Sequence, residues 1–266
     1  MKWIVDTTGR FGWRPYYTQA ELNSECERIV FGFLRQKYGK IRFPLSTDDL
    51  TVLVERDVSD LDLYADLSAD GDDVEGATDF FRDKKPAVKI NRELSLDSTQ
   101  VPRLRTTLAH EYGHVKFHNF LWNLTNVRPA AHDLVPTIAR QRKALEKLRR
   151  KISPPDQSLP PDGSGRYSLP GAFRQGHAAT CNRANILRAP ESDWMEWQAG
   201  YACGAILMPA STVKHIAFEN ISGNDEKLPC PTGSQKALEI IDAVSAQCDV
   251  STPAARTRLV SLGILY

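Results

Sequence analysis

The chain has 266 residues, of which 41% are hydrophobic and 25% charged, and a formal net charge of +1. That is the composition of an ordinary globular protein, long enough for one large domain or two small ones, with no global charge to draw it to nucleic acid or an anionic membrane. No apolar run approaches a membrane span and residues 1–8 carry no apolar leader core, so a cytoplasmic chain without a membrane partner is expected.

Along the chain, residues 18–38 read as an amphipathic helix, with Leu22, Ile29, Val30, Phe33 and Leu34 at helical spacing and Gly39 as its stop. A second helix is expected near residues 47–53, capped by Ser46 or Thr47. The acidic stretch 57–79 follows, punctuated by Gly71 and Gly76. Residues 77–81 and 87–91, separated by 82–86, suggest two antiparallel strands. The second of these directly precedes the next helix and is a candidate sheet edge for an extended peptide, or simply part of a structural sheet. Residues 104–118 form an apolar-periodic helix (Leu104, Leu108, Val115, Phe117). Residues 125–190 read as an insertion, with a basic helical patch at 140–151 that opens on Arg140 and closes on Lys151, then a Pro/Gly/Ser-rich loop over 153–176. Another helix is expected over 193–208, ending at Pro209. The tail, 234–266, reads as two short helices around a turn at 249–253. The cysteines, Cys26, Cys181, Cys203, Cys230 and Cys248, are scattered and make neither a disulfide framework nor a Cys-x-x-Cys knuckle. Reduced thiols are the simplest expectation.

The run His110-Glu111-Tyr112-Gly113-His114 carries most of the chemical information. Residues four apart on a helix lie about 40° from each other around the axis, one turn apart along it. Both imidazoles can therefore reach one Zn²⁺, and Glu111 can take a proton from a water that the ion acidifies. The plain alternative is a helix that merely carries two histidines. A catalytic zinc usually takes a third protein ligand. His118 continues the histidine stripe but lies too far along one straight helix to close a tetrahedron, and it is expected to pack or hydrogen-bond beside the site. His132 and His177 fall in the insertion. Glu196 opens the helix whose face carries Ala199, Gly200 and Gly204, small residues that permit close helix approach. Asp193-x-x-Glu196 also fits a helix-capping box, and spacing leaves the two roles open.

Ala109 to His114, Glu196-Trp-Gln-Ala199 and Ile206-Leu-Met-Pro209 together resemble the ImmA/IrrE-type metallopeptidases, and the tail from Val250 to Gly263 is similar to that family's closing helices. The resemblance implies zinc as cofactor, Glu196 as third metal ligand beside His110 and His114, and Glu111 as catalytic base. Gln198 stands where many relatives have a second acidic residue. The expected architecture is α+β and zincin-like, of gluzincin type. Helices would pack on a small antiparallel sheet within one metallopeptidase domain over 1–266, interrupted by 125–190. Tyr201, His177, Tyr167 and an arginine are all open as donors to a developing oxyanion. Cys181, in the insertion, is a candidate inhibitory fourth zinc ligand, since a thiolate can fill the ion's open position; an ordinary buried thiol is the alternative.

The resemblance also implies a partner: family members cleave a helix-turn-helix repressor and so induce genes of DNA-damage response, mobile elements or phage defence. The basic patch at 140–151 could contact DNA, although most such runs are solvated helix faces. Two rivals are a DNA-binding transcriptional regulator with a structural zinc site and a zinc peptidase of broad specificity. The apolar Leu259, Leu262, Ile264 and Leu265 favour a tail that finishes the core over one that reads DNA.

Overall fold

In the computed structural model, residues 1–123, 178–182, 189, 193–221 and 228–266 are described. The elements, in chain order, begin with strands β1 (Lys2–Val5) and β2 (Trp13–Tyr16), then helices α1 (Gln19–Tyr38) and α2 (Thr47–Glu55). Strands β3 (Asp60–Ala65), β4 (Val74–Asp79) and β5 (Ala87–Asn91) follow, then α3 (Arg92–Leu96), α4 (Val101–Phe117) and the single turn α5 (Phe120–Asn123). Strand β6 (Ala178–Asn182) precedes α6 (Trp194–Leu207), α7 (Ala210–Glu219), α8 (Gln235–Cys248) and α9 (Thr252–Ser261). The architecture is α+β.

The helix ends follow their local chemistry. Thr18 and Glu21 form a reciprocal capping box at the start of α1, and Gly39 closes that helix at φ 72°, a left-handed conformation that glycine adopts without a Cβ penalty. Ser46 caps α2 through the backbone N–H of Asp49. Ser234 and Ser251 cap α8 and α9 in the same way.

Strands β1 and β2 make a two-stranded antiparallel sheet, and the larger sheet has the order β3-β5-β4-β6. The expected all-antiparallel sheet is corrected here, because β5 runs parallel to β3 and antiparallel to β4. The reason is topological. β5 returns from β4 through residues 80–86 and slots between β4 and β3, which run opposite to each other, so a strand antiparallel to β4 runs with β3. For the same reason β5 is not the free edge expected of it. The strand beside β4 on its other side is β6, in register Gly76↔Cys181, Ala77↔Thr180 and Thr78↔Ala179. Part of the 125–190 insertion therefore completes the sheet; the basic patch at 140–151 and the loop 153–176 lie outside the described residues.

The main core gathers Leu22, Val30 and Phe33 of α1, Leu50 and Val54 of α2, Leu108 and Tyr112 of α4, Ile206 of α6, and Ile240, Ile241 and Leu259 of the tail. Burying each large aliphatic side chain contributes on the order of 1.5–3 kcal/mol. Ile264 and Leu265 are buried too, so the tail completes the core, as its apolar pattern predicts. A second, aromatic cluster of Phe80, Leu121, Trp194 and Met195 receives Trp3, Phe11 and Trp122 from outside. Phe80 and Trp122 stack at 3.9 Å, and Phe11 meets both Trp122 and Trp194 edge-on. This cluster docks the β1–β2 hairpin beside the C-terminal end of α4. All five cysteines are buried and none forms a disulfide. Among the described residues no helix is long and apolar enough to cross a membrane.

Candidate metal centre

Helices α4 and α6 pack against each other along small residues. A Cβ added at Gly113 would lie 3.0 Å from Ala199 Cα, 3.1 Å from its carbonyl oxygen and 3.3 Å from Ala202 Cβ. Only a glycine lets the two backbones come this close, and the approach brings a carboxylate from α6 to the histidines of α4. Glu196 Oε2 lies 3.2 Å from His110 Nε2, and Glu196 Oε1 lies 3.2 Å from His114 Nε2. The two histidine Nε2 atoms are themselves 3.2 Å apart. Tetrahedral zinc with bonds of about 2.0–2.1 Å sets neighbouring donor atoms about 3.3–3.4 Å apart. The two histidine nitrogens are thus close to one edge of such a tetrahedron, each facing a different oxygen of Glu196, and a donor set of two imidazoles and one carboxylate suits a divalent ion. His110, His114 and Glu196 are all buried and form a group that could hold a metal ion.

The capping-box role open to Glu196 is not taken up. Asp193 is the N-cap of α6 but makes no side-chain capping bond, and it pairs with Arg10 instead. Burial pushes the Glu196 carboxyl up, but the adjacent His114 and His110 outweigh it and hold the group far below the usual carboxylate range. It is an anion in the site.

Glu111 sits beside this triangle, fully buried. Thr78 Oγ1 on β4 donates to Glu111 Oε2 at 2.5 Å, while Oε1 has no hydrogen-bond partner among the described residues. Burial pushes the Glu111 carboxyl up to about 7, against the opposing pull of His114 and Thr78. A carboxyl in that range can both accept and return a proton near neutrality. Gly76 makes room for it: a Cβ there would stand 2.8 Å from Glu111 Oε1 and 2.8 Å from Thr107 Cγ2. A register shift between Val74 and Gly76 accompanies Glu75 reaching α4, where Thr107 donates to it and Arg103 pairs with it.

Cys181 lies opposite Gly76 on β6 and is fully buried. Its Sγ, a His110 ring nitrogen and a Glu111 oxygen lie within 4.8 Å of one another, a second group that could bear on a metal. Burial, then the neighbouring Glu111 and Glu196 carboxylates, push the thiol well above its ordinary pKa. It therefore stays protonated unless a cation draws off the proton.

His118, the C-cap of α4, stands beside the site and outside the ligand triangle, as its place on the helix predicts. Its Nδ1 faces His114 Nδ1 at 3.0 Å and its Nε2 faces Gln198 Oε1 at 3.1 Å. Of the possible oxyanion donors, Tyr201 is turned toward α1: its hydroxyl takes a hydrogen bond from Asn23 at 3.0 Å, and Arg258 lies over its ring. His132, His177 and Tyr167 lie outside the described residues. Sequence reasoning missed Thr78, Gly76 and the part played by Gln198. Their signal lay in contacts between distant segments, which no local spacing reports.

No protein-family model, curated protein or solved structure matches the chain.

Proposed function

We propose that this chain is a zinc-dependent endopeptidase with a zincin-like fold of gluzincin type, in which His110, His114 and Glu196 hold the metal and Glu111 is the general base. The observation that carries this reading is the buried convergence of His110, His114 and Glu196, with 3.2 Å between the two histidine Nε2 atoms and from each of them to one Glu196 oxygen, and Glu111 at its side. A zinc ion there supplies Lewis acidity to a peptide carbonyl and to a water molecule. Glu111 takes the proton of the attacking water and returns it to the departing amine. Thr78 holds one carboxylate oxygen, so the other is left to the reaction. The aromatic wall of Phe80 and Trp194 stands against His114 and His118 and keeps bulk water from that flank.

In this reading β6 occupies the strand position next to β4 where an extended substrate would add, and Cys181 is an inhibitory thiol that becomes a fourth ligand once the ion lowers its pKa. The substrate is a helix-turn-helix repressor, by the resemblance of Ala109–His114 and Glu196–Ala199 to ImmA/IrrE-type peptidases, and the setting is cytoplasmic gene induction. DNA contact through residues 140–151 belongs to the same proposal.

The decisive experiment measures zinc per chain and cleavage of any helix-turn-helix repressor encoded beside the gene. The wild type is expected to bind one zinc and to lose cleavage on chelation; Glu111→Gln is expected to keep zinc and lose cleavage. Full turnover by Glu111→Gln, or absence of stoichiometric metal, overturns the assignment. Cys181→Ala is expected to raise basal cleavage, and an unchanged basal rate removes the inhibitory role. Sequence-specific DNA binding that survives Glu111→Gln, with no proteolysis, would instead favour a regulator with a structural zinc. Cleavage of casein as readily as of the repressor would favour a broad-specificity peptidase.

A further inference from the structure

A chain of three hydrogen bonds joins the β1–β2 hairpin to His114, and its direction is fixed at the hairpin end. Pro15 lies in β2, and its carbonyl can only accept. Gln198 Nε2 donates to that carbonyl over 3.1 Å, so the amide must turn Oε1 toward His118. The reversed amide would set oxygen against oxygen at Pro15. His118 Nε2 lies 3.1 Å from Gln198 Oε1, and an amide oxygen only accepts, so His118 carries its proton on Nε2. The ring is wholly buried and its hydrogen-bond partners are an amide and another imidazole, a setting that favours the neutral form. Its Nδ1 is therefore a bare lone pair and accepts from His114 Nδ1–H across 3.0 Å. With His114 neutral, as a metal ligand must be, that leaves its lone pair on Nε2, the atom 3.2 Å from His110 Nε2 and from Glu196 Oε1.

We infer that Gln198 and His118 are positioning residues that lock His114 in the tautomer whose Nε2 faces the metal position, with the Pro15 carbonyl as the fixed origin of the chain. The purpose of this lock rests on the proposed metal centre; the direction of the hydrogen bonds does not. The two histidine ligands are then unequal. His110 Nδ1 is buried with no hydrogen-bond partner among the described residues, so the outer nitrogen of that ring has no comparable support. Partners behind a metal-binding imidazole fix ring orientation and raise its basicity, and losing them typically costs about 10- to 100-fold in metal affinity. Here that support is supplied by a neutral amide on α6 acting through a second ring and anchored on the carbonyl of a hairpin far from both histidines in sequence.

The first test reads the rings directly. In the metal-free wild type labelled with ¹⁵N at histidine, long-range ¹H–¹⁵N correlations are expected to show His118 as the Nε2–H form. His118 as the Nδ1–H form overturns the inference. The second test measures zinc affinity by competition with a chromogenic chelator. Gln198→Met, which removes the acceptor at similar volume, is expected to lose about 10- to 100-fold. Gln198→Glu, which keeps an acceptor toward His118 and in its protonated form a donor toward Pro15, is expected to bind more tightly than Gln198→Met. Gln198→Met with wild-type affinity, or equal losses in both variants, overturns the inference. The ring measurement needs no substitution, so it decides even where Gln198→Met fails to fold. A wild type that binds no zinc sinks the metal-centre reading instead, and the His118 ring pattern still judges the hydrogen-bond chain.

Discussion

Thr78 and Gly76 act on Glu111 from the same face of β4, one by holding an oxygen and the other by leaving space. Replacing Thr78 with Val keeps the shape and removes the donor, so a buried carboxylate oxygen loses its partner at a cost of about 1–3 kcal/mol. On the proposed function, Thr78→Val should lower kcat/KM for repressor cleavage about tenfold, within the range that cost allows, with zinc content unchanged; a parallel loss of zinc would show that Thr78 shapes the metal triangle instead. Gly76→Ala should destabilise the fold by about 1–3 kcal/mol through overpacking, read as a lower urea midpoint, because its Cβ meets Glu111 and Thr107 at 2.8 Å. At this scale the sequence was informative where chemistry is local. His110, Glu111 and His114 are legible because one helical repeat aligns them. Glu196 was ambiguous because the start of a helix suits both a cap and a ligand, and the two are separated by its approach to His110 and His114 and by the absent capping bond of Asp193. Gln198 and His118 were illegible as a pair, since their relation exists only once β2, α4 and α6 meet.

Among the elements, the closeness of α4 and α6 sets the geometry of everything between them. Gly113→Ala places a methyl 3.0 Å from the backbone of Ala199, where no flexible side chain can give way. It should weaken zinc binding in a chelator competition and lower the melting temperature together; a stable variant with wild-type zinc affinity would show that the helix spacing has slack. Helix α1 offers a pH test far from the site. The chain's amino group at Met1, then the Thr18 backbone N–H, hold the Glu21 carboxyl down at about 2 against an ordinary 4.5. A depressed carboxyl stabilises the fold above its unfolded value and loses that contribution as pH falls through its folded value. The stability difference between wild type and Glu21→Gln should therefore be full above pH 4.5 and shrink toward pH 2; a difference that ignores pH would mean the charge is idle. The long helices were readable from periodicity and caps. The β1–β2 hairpin was not, because strands of four residues carry too little pattern. Strand order was not readable either, since hairpin spacing reports that β4 pairs with β5 and nothing of what lies beyond.

The molecule as a whole is tied together by the tail. Arg258 on α9 is buried; its Nε donates to the Met208 carbonyl at 2.9 Å and its guanidinium to Asn23 Oδ1 at 2.7 Å, joining α9, α6 and α1. Arg258→Leu should cost about 2–3 kcal/mol in urea unfolding, since it leaves buried acceptors without a charged donor. A loss well below 1 kcal/mol would mean the pocket admits water in its place. Strand β6 has a different bearing on the whole. Val74 to Thr78 of β4 are buried, and β6 covers their outer row of backbone groups. Were that strand peeled off, a ladder of unpaired N–H and C=O groups would face solvent, the kind of edge that recruits any extended polypeptide, a sister molecule included. An opened form would thus be adhesive by construction, and its lifetime before capture or self-association would be set by how quickly the strand zips back.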